Sequence, residues 1–105
     1  MKFAFIYALP GYTQEEIHVV ETEHSTFIAA AIDFKAIADT PQLARRLVET
    51  YQIDMLELCG GLASSQTVAA VKAEIGDAIP VGAVYYGPEY RQPLATLVKA
   101  VKDKL

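Results

Sequence analysis

The run Ile53-Asp54-Met55-Leu56-Glu57-Leu58-Cys59 ends at Gly60-Gly61 and passes through Leu62-Ala63-Ser64-Ser65 into an alanine-rich helical pattern. A short apolar run that stops at glycines and feeds a helix has the form of a buried parallel strand in an α/β sheet. No other stretch narrows the possible folds as much. Alternation along the strand puts Ile53, Met55, Glu57 and Cys59 on one face, with Asp54, Leu56 and Leu58 on the other. A carboxylate and a thiol therefore point the same way near the carboxyl end of a central strand. They lie beside glycines and a helix amino terminus, where backbone N–H groups can receive an anion. Ligands of open α/β sheets bind at that end of the strands.

The remaining segments fit around this one. Residues Lys2 to Leu9 carry Phe3, Phe5, Tyr7 and Leu9 on one face and Ala4, Ile6 and Ala8 on the other, and two apolar faces mark a central strand. Pro10-Gly11 ends it as a turn. Thr13 and Glu16 have the spacing of a capping box, so Ile17 to Thr22 is expected as one or two helical turns or an irregular crossover. Ser25 or Thr26 through Ile32 reads as the second strand. Thr40-Pro41 opens a helix with an apolar stripe of Leu43, Leu47, Val48 and Tyr51, Thr40 acting as its N-cap. A further helix from about Ala63 to Ile75 buries Val68, Val71 and Ile75 and ends at Gly76 as a left-handed cap. Pro80 to Tyr86 is the fourth strand. Pro93 opens a last helix with Leu94, Leu97, Val98, Val101 and Leu105 along one side, opposed by Lys99, Lys102 and Lys104.

At 105 residues the chain is expected to be a single α/β domain, residues 1–105. Parallel strands joined by right-handed crossovers give a three-layer open sheet of about four strands, order 2-1-3-4, with flanking helices. A quarter- or half-barrel is the alternative. With 52% hydrophobic and 21% charged residues, disorder is excluded. The net charge of −4, without a basic run, argues against a nucleic-acid partner. No segment approaches the roughly 20 apolar residues of a membrane helix. The start, Met1 to Pro10, has a short apolar run without a following cleavage site and reads as a strand rather than a signal peptide. One cysteine cannot form an internal disulfide, so a reducing cytoplasm is the expected setting.

Glu57 is the least ordinary residue, since an ionised carboxylate in a central strand is costly unless paired or hydrogen-bonded. It is a candidate acid or base at a ligand pocket, or else a strand-end carboxylate that caps a loop or leans into solvent. Cys59 is a candidate nucleophile or redox thiol. A helix amino terminus favours its thiolate and Glu57 opposes it, while a small packed side chain is the ordinary alternative. Gly60-Gly61 with Ser64 or Ser65 resembles an anion nest but lacks the lysine of a P-loop and the glycines of a dinucleotide fingerprint. A tight turn needing positive φ, with a serine as helix N-cap, accounts for the same residues. Tyr85, Tyr86, Tyr90 and Arg91 follow the fourth strand and would wall a small planar or carboxylate-bearing ligand, or an oligomer interface. Tyr7 and the Pro10-Gly11-Tyr12 turn reach the same end of the sheet. His18, Glu21, Glu23 and His24 have no recognised metal spacing, so no metal or cofactor is implied.

The segments Lys2-Phe3-Ala4-Phe5-Ile6, Glu57-Leu58-Cys59-Gly60-Gly61 and Pro80-Val81-Gly82 together resemble a family of short, uncharacterised bacterial proteins classed as a domain of unknown function. The resemblance spans nearly the whole chain. It implies an α/β fold and no established activity, and it carries no catalytic residue onto these positions. Three readings follow from the residues themselves. The chain binds a small anionic or carboxylated metabolite at the carboxyl ends of the strands, with Glu57 and Cys59 beneath it. Alternatively, it is a small enzyme working through Glu57 or Cys59. In the third reading it is a homo-oligomer, most simply a dimer, without a small-molecule site.

Overall fold

The β-branched residues Ile17, Val19 and Val20 decide the segment the sequence leaves most open. In the computed structural model, which describes residues 1–105, Glu16–Glu21 is a strand rather than a helical crossover. Branching at Cβ disfavours a helix and suits a pleated strand, and this preference overrides the capping-box spacing of Thr13 and Glu16. The elements are β1 (Lys2–Tyr7), β2 (Glu16–Glu21), β3 (Thr26–Ala31), α1 (Thr40–Tyr51), β4 (Met55–Leu58), α2 (Ser65–Ile75), β5 (Val81–Ala83) and α3 (Arg91–Asp103). They form one α/β domain around a five-stranded sheet of order β2-β3-β1-β4-β5. The four parallel strands keep the expected neighbours, and β2 adds an antiparallel edge to β3.

The hairpin between β2 and β3 closes at Thr22–Ser25, where the Thr22 N–H donates to the Ser25 carbonyl at 2.8 Å and the two hydroxyls bond at 2.8 Å. It also replaces a helix. Parallel neighbours such as β1 and β3 need a long connection, normally helical. Here the chain returns as β2 within the sheet, so no crossover helix is laid on that side. Helices α1 and α2, which form the connections from β3 to β4 and from β4 to β5, pack together on the other face, as the usual right-handed crossover requires.

That covered face holds the core. Ala4 and Ile6 of β1, Ile28 and Ala30 of β3, and Leu56 and Leu58 of β4 meet Leu43 and Leu47 of α1 and Val71 of α2, all fully buried. The β1–β4 register is pinned by Asp54, whose carboxylate accepts the Lys2 N–H at 2.7 Å and whose own N–H donates to the Lys2 carbonyl at 2.7 Å. On the surface, Arg45 of α1 donates to the Glu74 carboxylate of α2 at 2.6 Å, and Arg46 pairs with Glu15. Such exposed pairs contribute little each.

The helix ends differ in detail from expectation. Thr40 is fully buried and donates its hydroxyl to the Ile37 carbonyl at 2.6 Å instead of capping α1. The helix ends at Gln52, held at φ 51°. Ser64 is the N-cap of α2, accepting the Thr67 N–H at 3.1 Å, and Gly76 ends that helix at φ 82°.

Helix α3 does not join either face. It lies across the carboxyl ends of the strands, with Leu94, Leu97 and Val98 over the segments that follow β1, β4 and β5 and Leu105 beside Tyr12 and Phe34. None of its residues is buried. No helix of the chain is long and apolar enough to cross a membrane.

Candidate functional site

Between α3 and the strand ends lies an open groove of about 660 Å³. Its floor is Ala8-Leu9 after β1 and Cys59-Gly60-Gly61 after β4; Ala63-Ser64 and Val84-Tyr85-Tyr86 form its sides, and Leu94, Leu97 and Val98 its roof. The wall is predominantly hydrophobic, ten of thirteen residues. The roof is the unusual part. Leu97 is 59% and Val98 49% exposed, although both belong to the apolar stripe of an amphipathic helix. A helix normally buries that stripe; here it overhangs a groove that nothing in the chain fills.

Local chemistry shapes the floor. The β4 strand ends as the Cys59 N–H donates to the Ile6 carbonyl at 2.9 Å, and the chain then makes a single 3-10 turn over Gly60–Leu62. Neither Gly60 nor Gly61 has positive φ, contrary to the tight-turn expectation. Glycine is favoured at position 60 by a different contact: a Cβ there would sit 3.3 Å from Cε2 of Tyr86, whose ring packs onto the backbone and would have to shift slightly. The Gly60 and Gly61 amides donate to no backbone carbonyl. Both lie just before the amino terminus of α2, where the helix dipole favours negative charge.

Six of the residues singled out from the sequence come together in this groove: Cys59, Gly60, Gly61, Ser64, Tyr85 and Tyr86. Ser64 is occupied as a cap, and its hydroxyl also donates to Thr67 Oγ1 at 2.9 Å. Cys59 is half-buried with a free thiol. Glu57, Tyr7 and Arg91 are not part of the lining. Glu57 does share a face with Cys59, as alternation requires, but that face turns away from α1 and α2. There it is half-buried, with its Cγ 3.5 Å from where a Cβ on Gly82 would sit, and it joins no ion pair. Arg91 is exposed in the first turn of α3.

Tyr7 belongs to a different cluster. Its ring stacks beside Phe5 at 6.1 Å between centroids and meets Tyr12 edge-on at 5.5 Å. A hydrogen bond with the Tyr12 side chain, then burial, then the nearby charges of Tyr12 and Glu16 push the Tyr7 phenol up to about 12. His18 stands in the middle of β2 and His24 in the hairpin turn, each beside one glutamate of its own segment at 3.9 and 3.8 Å.

The sequence reading missed Ala8, Leu9, Ala63, Val84 and the three roof residues. The apolar stripe of α3 was visible, but a stripe does not say whether a helix lies on a sheet face or across its end.

Compared with known proteins, the profile of a family of unknown function, DUF6506, matches residues 1–99. No curated protein matches the chain.

Proposed function

The chain belongs to this family of unknown function, so its own residues must carry the argument, and we propose that it binds a small, largely apolar molecule ending in a carboxylate or similar anion. The ligand lies between α3 and the carboxyl ends of β1, β4 and β5. The observation that carries this reading is the exposed apolar roof, Leu97 and Val98, above a groove lined by aliphatic and aromatic side chains. An apolar body there would cover the stripe that α3 leaves open, the ordinary character of a small-molecule site. The Gly60 and Gly61 amides and the α2 amino terminus suit its anionic end, since no side-chain cation lines the groove.

Binding is favoured over catalysis by the titratable groups in reach. The groove faces hold one thiol, Cys59, and the phenols of Tyr85 and Tyr86, while the carboxylate of Glu57 and both histidines belong to other surfaces. A thiol nucleophile ordinarily works with an adjacent base. Cys59 acts instead as a soft, apolar part of the floor. A lone free cysteine fits a reducing cytoplasm as the working compartment. A thermal-shift series of alkyl and aryl carboxylates from acetate to decanoate tests the reading. It predicts stabilisation that grows with apolar length and is lost in Leu97→Glu. A flat series, or one unaffected by Leu97→Glu, contradicts it.

A further inference from the structure

A second surface of the sheet is left uncovered. Registration across the strands puts His18, Ala29, Phe5 and Glu57 in one row on the face opposite α1 and α2. The row nearer the amino ends is Val20, Phe27, Phe3 and Met55. On the other side, Ala31 and Tyr7 are neighbours, but Ala31 is fully buried and Tyr12 packs against Tyr7, so this end of the face is covered by the chain itself. Phe27 is 37% and Val20 61% exposed, and the Phe3 and Phe27 rings stack at 5.5 Å with no layer above them. No element within residues 1–105 supplies that layer. The β1–β3 connection is spent on β2, α1 and α2 occupy the opposite face, and α3 spans the strand ends.

We propose that a second copy of this chain covers this face, the two sheets packing face to face about a twofold axis that runs along the strands between β3 and β1. Such an axis maps β2 over the partner's β4 and β3 over the partner's β1, and it keeps each row in register with itself. The consequences are specific. His18 faces Glu57 of the partner subunit, and by symmetry Glu57 faces His18 of the partner subunit. Ala29 faces Phe5 of the partner subunit, so a small residue receives an aromatic ring on each side of the axis. Phe27 meets Phe3 of the partner subunit. A single patch that is complementary to itself in hydrogen bonding, an imidazole N–H opposite a carboxylate, and in shape is what an isologous interface requires. It also supplies Glu57, which joins no ion pair within the chain, with a partner.

Under this axis β2, β3, β1 and the four-residue β4 overlap. At about 4.8 Å between strands and about 3.3 Å per residue they make a footprint roughly 20 Å on a side, about 400 Å² before side-chain relief. That is smaller than the about 800 Å² per partner of a standard interface and belongs to weak, concentration-dependent association. Aligned sheets pack at about −30°, which leaves the central rows in contact and splays the corners.

Light scattering and sedimentation of the purified chain and its face variants test the arrangement. The wild type is expected to dimerise with rising concentration, reaching a dimer by about 200 μM. Phe5→Glu, and independently the more exposed Phe27→Asp, are expected to give monomers with unchanged far-ultraviolet circular dichroism; one folded variant is enough for the comparison. His18→Glu sets two carboxylates against each other and should weaken dimerisation at least tenfold. Adding Glu57→Lys to it should restore the dimer. A wild-type monomer at 200 μM overturns the proposal, as does a dimer indifferent to Phe5→Glu and Phe27→Asp. Failure of the double exchange to restore association in a folded variant also overturns it, because the facing of His18 and Glu57 defines the arrangement. These outcomes are independent of the carboxylate series, which reads a different surface.

Discussion

The ring of Tyr86 rests on the backbone of Gly60, close enough that a Cβ at Gly60 would lie 3.3 Å from Cε2. This contact ties the segment after β5 to the floor of the groove. Because Tyr86 is half exposed and free to move outward, Gly60→Ala should cost less than about 1 kcal/mol in urea unfolding, within the range of tolerable overpacking. The same substitution displaces a ring that walls the groove. Carboxylate-induced stabilisation should therefore fall more than global stability does, and equal losses would place Tyr86 outside the binding site.

Cys59 reports on the groove directly. Its thiol is half-buried and lines the floor, so N-ethylmaleimide should modify it in the folded state. Decanoate bound above it should slow that modification several-fold. Modification at one rate with and without decanoate would place the ligand elsewhere.

Two leucines of the same size separate the core from the roof. Leu47 is fully buried between α1 and the sheet, so Leu47→Ala should cost about 2–5 kcal/mol. Leu97 is mostly exposed, and Leu97→Ala should change stability by no more than about 0.5 kcal/mol. Chemical denaturation of the two variants makes the comparison. A large loss for Leu97→Ala would mean that α3 packs as a core helix in solution.

The Tyr7 phenol gives the fold an alkaline limit. Its folded value of about 12 stands above the ordinary phenol value of 10.0, so the folded chain holds this proton more tightly than the unfolded one. Its contribution is fully present below pH 10.0 and is lost as pH rises from there through about 12. Tyr12→Phe removes the leading cause, the side-chain hydrogen bond, and should bring the Tyr7 titration down when followed by phenolate absorbance. An unchanged titration in Tyr12→Phe would refute this assignment.

The sequence made the architecture legible wherever a pattern served one structural purpose. Ile53 to Cys59 had to be a central strand because its apolar run ended at glycines before a helix. The alternation in Lys2 to Leu9 identified its neighbour in the same way. Residues 16–21 were misread because Thr13 and Glu16 carry a local capping signal, whereas the pairing of β2 with β3 is a long-range gain that local spacing does not encode. Among the site residues, alternation correctly placed Glu57 and Cys59 on one face. It could not say that the strand ends at Cys59, so that the thiol reaches the groove while Glu57, two residues earlier, stays over the open sheet. Gly60 and Gly61 were legible as a loop, but the reason for Gly60 is Tyr86, twenty-six residues away in the chain and invisible to local turn rules.

Amide nuclear magnetic resonance titration of the labelled chain with decanoate tests the central claim most directly. The account predicts saturable shifts at Gly60 and Gly61 together with Leu97 and Val98, since the anion and the apolar body contact opposite walls of one groove. Absence of shifts at these four residues at millimolar decanoate, or shifts confined to the open sheet face around Phe5 and Phe27, would contradict it.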